Sequence, residues 1–505
     1  MSNRPNILLI TADQWRGECL GAAGHPVVKT PNLDALAAQS TLFSRHYAPC
    51  APCAPARASL HTGLYQMIHR VTRNGTPLDR RFDNIAKAAR RAAYTPALFG
   101  YTDTSPDPRD LDPSDPALLS YEGVLPGFDL QQGLAEDDAP WLSWLAGRGR
   151  EPHPGLPMQA GGEQPGAERK TERVSTAPTA FAADESQTAF LSEAFLAWVR
   201  RQNGPWFAHL SFLRPHPPFS APAPFNDMYT PGDGPDYLRA DSPQAEPADH
   251  PYPAAKRAAV DLGEYLAARS GPLAQLDARD FDRIRAIYYG MISEVDAQIG
   301  RICEALRAMR CWEETLLVFT SDHGEMMGDH WMLGKGGFYE QSYHIPLILK
   351  VPGGSGGRVE LFTSAVDIFP TLLEAMDVAA LHEANGRSLL PLARGEQPAD
   401  WRDAVLWEFD YRDFDHSGRP AEDCSLAALR SDDHLYVHSP ADHSLLYDLR
   451  KDPACLNSLA EHDSARRLRM AEALLSTRTR CLEQTLSKKL VWEWSLSSKL
   501  RVRES

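Results

Sequence analysis

Two short stretches carry residue types that bind metal ions. Asp13-Gln14 follows the apolar run Asn6-Ile-Leu-Leu-Ile-Thr11, and Asp322-His323 follows Thr315-Leu-Leu-Val-Phe-Thr320 and Ser321. Apolar runs of this length read as buried parallel strands, and ligands gather at the carboxyl ends of such strands. The two pairs can therefore face one crevice. Mixed oxygen and imidazole donors suit Mn2+, Fe2+ or Zn2+, whereas Ca2+ is more often held by oxygen alone. Taken singly, an Asp after a strand is also a common helix cap. A third stretch is Cys50-Ala-Pro-Cys53-Ala-Pro-Ala-Arg57-Ala-Ser-Leu-His-Thr-Gly63. Its Cys-x-x-Cys spacing suits a redox pair or half of a zinc site, but no second Cys-x-x-Cys and no redox-fold context accompany it.

The elements that must position these residues alternate between strand and helix. Residues 31–42 read as a helix opened by Pro31, with Leu33, Leu36 and Ala37 on one face. Residues 82–93 read as a second helix, followed by a Pro-broken run over 94–101. Residues 206–213 are strand-like, and 284–309 carry Ile292, Val295, Ile299 and Ile302 at helical spacing. This alternation predicts an α/β fold, a large sheet that is mainly parallel and flanked by helices. Residues 135–185 and 220–257 are rich in Pro, Gly, Ala and acid, and read as insertions: functional lids or loops without a role. From about residue 400 the pattern changes to short strands at 404–409, 434–438 and 445–449, then a helix on which Leu468, Leu475 and Leu482 recur every seven residues. We expect a catalytic domain over 1–395 and a smaller α+β domain over 396–505, with the apolar stretch 490–494 packed on it or on another subunit.

Composition excludes whole classes. The chain has 505 residues, 43% of them hydrophobic and 24% charged, so it can bury a large core. Its 52 basic against 67 acidic residues give a net charge of −15, which argues against a nucleic-acid binder. An anionic substrate must then be drawn by local charge or metal. No run approaches the roughly 20 apolar residues of a membrane span, and the first strand, too short and closed by Asp13, does not read as a secretory signal. A cytoplasmic protein is expected, its 8 cysteines mostly reduced thiols.

Only Cys53 opens the pattern Cys-x-Pro-x-Arg, and further marks stand in order along the chain. They are Pro215-His216-Pro217-Pro218-Phe219, Ser321-Asp322-His323-Gly324-Glu325, Gly328-Asp329-His330, Gly334-Lys335-Gly336 and Leu446-Tyr447-Asp448-Leu449 with Asp452-Pro453. On these residues the sequence resembles the formylglycine-dependent sulfatases and their phosphonate-hydrolysing relatives in the alkaline phosphatase superfamily, over nearly its whole length. The resemblance implies an alkaline-phosphatase-like fold. It also implies oxidation of Cys53 to formylglycine by a maturation enzyme, and one divalent metal, Mn2+ first, held by Asp13, Gln14, Cys53, Asp322 and His323. A hydrated aldehyde at position 53 would attack phosphorus or sulfur in line and hold the transferred group covalently. By resemblance Arg57 holds the diol, and His216 with Lys335 contacts the ester and protonates the leaving oxygen. His216 among prolines also suits a rigid turn, and Lys335 between glycines a solvated loop tip. A small anionic ester as substrate and a homo-oligomer, dimer or tetramer, complete the implied partners; no nucleic acid and no membrane are expected.

The sequence departs from typical sulfatases at three places. Gln14 replaces a second Asp. In the stretch 93–103, Tyr101 stands for a lysine and Asp103 for a histidine, removing a substrate cation and the usual base; Asp103, Thr102 and a metal-bound oxygen are alternatives for that base. Asn74 offers an amide donor after the nucleophile motif. These departures match the phosphonate monoester hydrolase and phosphodiesterase branch, in which the equivalents of Asn74 and Tyr101 contact non-bridging oxygens. The usual Ser before Arg57 is Ala56. Two other readings stand beside this one: a sulfatase proper, and a non-catalytic member that binds anions through unmodified Cys53.

Overall fold

The computed structural model describes residues 4–134, 138–150, 173–267, 269–354, 356–488, 492–493 and 501–502. The insertion expected at 135–185 lies partly outside these residues, as does most of the apolar stretch 490–494. The fold is α/β. Eight strands form one sheet in the order Gly357–Val359, Thr41–Phe43, Leu347–Lys350, Thr315–Thr320, Asn6–Ala12, Phe207–Phe212, Ala97–Gly100, Asp129–Gly133. Leu347–Lys350 runs antiparallel to both neighbours, and the remaining pairs are parallel. The central strands are buried on both faces: Ile7, Leu8, Leu9 and Ile10 are wholly inaccessible, which is why they read as continuous rather than alternating apolar runs. Register sets Ile10 between Phe319 and Leu210, and Leu210 beside Phe99. Four adjacent parallel strands thus end side by side.

The long helix Ala278–Ala308 packs its Ile284, Ile292, Val295 and Ile299 face into the core on one side of the sheet. Asp277 caps it, accepting from the backbone N–H groups of Arg279 and Asp280. Residues 31–42 do not form one helix: the helix Pro31–Ala37 stops, and Thr41–Phe43 enters the sheet. The β-branched Thr41 and aromatic Phe43 pair with strands on both sides, and tertiary pairing overrides the helical continuation.

A second sheet is antiparallel, in the order Ala404–Asp410, Ser425–Ser431, His434–His438, Leu445–Asp448. The strand Ser425–Ser431 has no β-rich composition and is held by its pairing on both sides. This sheet joins the larger unit through aromatic stacking, with Trp407 parallel to Tyr343 at 4.9 Å and to Tyr47 at 6.0 Å. Glu408 donates its N–H to the Pro49 carbonyl at 2.9 Å. The helix Ser464–Arg480 docks through Leu474, while Leu468, Leu475 and Leu482 are 60%, 66% and 55% exposed. The helix ends at Arg480, before Leu482, and the two repeat members it carries, Leu468 and Leu475, face solvent. No helix among the described residues is long and apolar enough to cross a membrane. All eight cysteines are free thiols, Cys50 and Cys53 included.

Candidate active site

Each of the four adjacent strand ends delivers a predicted residue. Thr315–Thr320 leads to Asp322 and His323, Asn6–Ala12 to Asp13 and Gln14, Phe207–Phe212 to His216, and Ala97–Gly100 to Tyr101 and Asp103. Gly100 has φ +102, and a Cβ there would sit 2.1 Å from the Ser211 carbonyl oxygen. Only glycine lets the chain pass that close and turn Tyr101 into the site.

Cys53 is the first residue of the wholly buried helix Cys53–Thr62. Its Sγ therefore lies at the positive end of the helix, where backbone N–H groups favour an anion. It is 3.2 Å from His323 Nε2 and 4.0 Å from Asp13 Oδ1. Asp13, Cys53, Asp322 and His323 each offer a ligand atom, all within 4.8 Å of one another and all buried. His323 Nδ1–H donates to the Gly324 carbonyl at 3.0 Å, which leaves the Nε2 lone pair turned to the cluster, the arrangement of a ligating histidine. Two buried carboxylates, an imidazole nitrogen and a sulfur position in one pocket fit a divalent cation. Burial and the Asp13 carboxylate push the Cys53 thiol well up, which disfavours a thiolate at this position.

Arg57, one turn along the same helix and 1% exposed, binds the acids together. Its Nη2 donates to Asp13 at 3.0 Å and its Nε to Asp322 at 3.0 Å, with Asp103 3.3 Å from Nε. Nη1 donates to Ser211 Oγ at 2.8 Å and to the Tyr101 carbonyl at 3.2 Å. The guanidinium also lies over the Tyr101 ring, 4.3 Å from its centre. Partial removal of such a buried network costs about 3–5 kcal/mol, because a lone charge is left without water. Burial would raise the Asp13 carboxyl, yet the charged Arg57 guanidinium and Lys335 ammonium hold it well below the usual carboxylate range.

Gln14 and Lys335 are joined. Lys335 Nζ donates to Gln14 Oε1 at 2.7 Å and to His216 Nε2 at 3.1 Å. Gln14 Nε2 donates to Glu325, a fully buried carboxylate that also accepts from the N–H groups of Met327 at 3.0 Å and Gly334 at 2.6 Å. Gly334 has φ +81, and a Cβ there would meet the Tyr265 hydroxyl at 2.2 Å; the tight turn that brings Lys335 inward requires glycine. His216 Nδ1–H donates to the Pro217 carbonyl at 2.7 Å, so Nε2 accepts from Lys335. Burial and Lys335 push His216 down to about 3, and the ring is neutral.

Asn74 and Tyr101 also fall at the site. Asn74 Oδ1 accepts the Ala54 N–H at 3.0 Å, which turns its NH2 outward, and Asn74 lines the open cavity with His216 and Lys335. The Tyr101 hydroxyl donates to Asp13 Oδ2 at 2.7 Å. Asp13, Gln14, Cys53, Arg57, Asn74, Tyr101, His216, Asp322, His323 and Lys335 thus lie in one constellation, whereas Asp329 and His330 are engaged elsewhere, with Arg16 and Glu246. Glu325 was legible as part of the Ser-Asp-His-Gly-Glu run, but its hold on Gln14 was not. Ser211, on Arg57, had no motif to flag it.

A sheet whose carboxyl edge presents this cluster beside a lysine–histidine couple and a cavity defines a class, the hydrolases of the alkaline phosphatase superfamily. Comparison with known proteins agrees. The sulfatase family profile matches residues 5–378, and a profile described as "N-sulphoglucosamine sulphohydrolase, C-terminal" matches residues 328–480. The chain belongs to the sulfatase family. It is similar to the "Multifunctional alkaline phosphatase superfamily protein PehA" of Trinickia caryophylli, 38% identical over 90% of this chain and 91% of that one. It is also similar to an arylsulfatase of Clostridium perfringens, 29% identical over 90% of each. Among solved structures, the phosphonate monoester hydrolase of Agrobacterium radiobacter superposes with a TM-score of 0.92 at 49% identity, covering 99% of this chain and 100% of that one.

Proposed function

We propose that this chain is a metal-dependent hydrolase of phosphonate monoesters and phosphodiesters, with a formylglycine nucleophile derived from Cys53 and promiscuous activity on sulfate esters. The observation that carries the reading is Cys53 itself, buried at a helix N-terminus within the Asp13, Asp322 and His323 donor set. The similarity to phosphonate monoester hydrolases at 49% and 35% identity supports the phosphorus branch. The neutral side chains Asn74 and Tyr101, in place of a cation, suit a monoanionic ester, a description that sulfate esters share and that fits the expected promiscuity. Arylsulfatase activity is the second reading, favoured by relatives of that name.

Asp13, Gln14, Asp322, His323 and position 53 would hold one divalent cation, Mn2+ first, with Fe2+, Zn2+ and Ca2+ as the alternatives. When bound it offsets charge on the reacting oxygens and lowers the pKa of the nucleophilic hydroxyl. One hydroxyl of the aldehyde diol would supply the nucleophile; loss of the proton of the second would re-form the aldehyde carbonyl, break the C–O bond to the transferred group and release a phosphonate, a phosphate monoester or, from a sulfate ester, sulfate. Arg57 fixes the two carboxylates, Asn74 orients a non-bridging oxygen, Tyr101 would do the same by turning its hydroxyl from Asp13 Oδ2 to the substrate, and the Lys335–His216 couple delivers a proton to the leaving oxygen. Maturation by a formylglycine-generating enzyme and assembly as dimers or tetramers belong to the same reading. The deciding assay compares a phosphonate monoester, a phosphodiester and a sulfate ester that share 4-nitrophenol as leaving group, with manganese present. Faster turnover of the phosphorus esters is expected; a dominant sulfate ester would make the chain a sulfatase.

Asp103 is the base we assign to product release. The Thr102 hydroxyl is committed, donating to the Gly123 carbonyl at 3.0 Å and accepting from the Leu125 N–H at 2.8 Å. Asp103 is 5% exposed, and burial lifts its carboxyl to about 7 despite Arg57. A carboxyl at that level accepts and returns a proton near neutrality. Asp103→Asn should slow steady-state turnover about 10²-fold while leaving a first burst of alcohol. Equal loss of burst and steady state would remove Asp103 from that step.

A further inference from the structure

The site opens into a cavity of about 290 Å³ whose lining includes His216 and Lys335. The same wall carries Tyr265, Phe409 and Phe414, with Lys256 against Phe414. Lys256 comes from the helix Pro251–Ala259, inside a stretch that the sequence marked only as an insertion. Tyr252 lies four residues earlier on the same helix face, and its hydroxyl donates to the Lys335 carbonyl at 3.4 Å. One helix therefore props the catalytic loop and presents a cation beside it.

That cation is unmatched. Lys256 is 7% exposed, and its ammonium makes no hydrogen bond or ion pair among the described residues. Its Nζ lies 4.7 Å from the centre of the Phe414 ring, an attraction weaker than a charge-assisted hydrogen bond. The acids on the cavity wall are engaged elsewhere. Asp410 accepts from Arg412 Nε at 2.9 Å and 3.0 Å, and Asp413 from Arg73 at 2.7 Å. Glu264 is exposed and lines the same cavity; it forms no ion pair with Lys256, and its charge and that of Glu325 reach Lys256 only through space, too weakly to offset burial and Lys335. Burial and repulsion from Lys335 lower Lys256 to about 8, a destabilised ammonium that an incoming anion would relieve. A buried, unpaired cation facing an aromatic-walled cavity next to the reacting groups is a recognition element.

We propose that Lys256, with Phe409, Phe414 and Tyr265, forms a leaving-group subsite for a planar alcohol that carries its own anionic substituent, a carboxylate first. This deepens the reading above, because it assumes that the ester oxygen departs at the His216–Lys335 end of the cavity. The ring would lie against the aromatic wall and the carboxylate would take the free donors of Lys256, leaving the phosphoryl group to the inner site.

Two methylphosphonate monoesters test it, one of 3-hydroxybenzoate and one of 3-hydroxybenzamide, which match in shape and differ in charge. The native enzyme should prefer the carboxylate ester in kcat/KM by about tenfold, the size of one charge-assisted contact. Lys256→Met should bring that ratio near one, and Lys256→Arg should keep a preference. 3-Hydroxybenzoate alone, titrated by calorimetry, should bind the native protein more tightly than 3-hydroxybenzamide and lose that advantage in Lys256→Met. A native ratio near one, or equal losses on both esters in Lys256→Met, would overturn the subsite. If phosphonate esters are not cleaved and sulfate esters are, the functional reading fails, yet the corresponding aryl sulfate pair still decides the subsite. If neither class turns over, the calorimetric comparison decides it.

Discussion

Cys53→Ala should abolish turnover of every ester class while the protein still folds. The loss expected is about 10⁵-fold, the scale on which removal of a covalent nucleophile acts. The side chain removed is small and lies at a helix start, not in the apolar core, and the remaining Arg57 contacts to Asp13 and Asp322 do not depend on it. Helix and sheet content by circular dichroism should be unchanged, and thermal unfolding should shift by a few degrees at most. Manganese binding should weaken but persist through Asp13, Asp322 and His323, since one of the clustered donors is lost and three stay. Mass spectrometry of the native peptide containing Cys53, with carbonyl labelling, provides the matching control. Undiminished activity in the alanine variant would sink the covalent mechanism.

His216→Ala should separate leaving groups by their need for a proton. Esters of unactivated alkyl alcohols should lose about 10²–10⁴-fold in kcat/KM, the range of general acid catalysis. Esters of 4-nitrophenol, which leaves as a stable anion, should lose far less. The geometry behind this is the chain Pro217 carbonyl, His216, Lys335, Gln14, linked at 2.7, 3.1 and 2.7 Å. The ring is held in one tautomer with Nε2 toward the ammonium, so in the mechanism we propose the proton comes from the couple and not from a free imidazolium. Lys335→Ala should show the same dependence, because the couple acts as one donor. A uniform loss across leaving groups would assign His216 to positioning and refute the general-acid role.

The chain by itself determined a great deal about this protein. Local apolar runs marked the central strands, because strands buried on both faces need unbroken hydrophobic sequence. Asp13, Gln14, Asp322 and His323 were legible as strand-end residues, and Cys-x-Pro-x-Arg singled out Cys53 from seven other cysteines. The limits of each local signal are equally physical. A heptad of leucines shows which residues of a helix would share a stripe, not which side faces inward or where the helix stops: packing of Leu474 left Leu468 and Leu475 to solvent, and the helix ended before Leu482. Helical spacing at 31–42 could not see that Thr41–Phe43 would find strand partners far along the chain at 347–350 and 357–359. Only the tertiary structure decided the partners of the site residues. Arg57 joins Asp13, Asp103 and Asp322, and Glu325 holds Gln14 (contacts spanning up to 311 positions). Lys256 sits in a stretch without periodicity, and Phe409 and Phe414 come from the neighbourhood of the second sheet, so no local pattern could place them around one cavity. Ion pairing and burial depend on what the fold brings within a few ångströms, and sequence spacing encodes that distance only inside a single helix or strand.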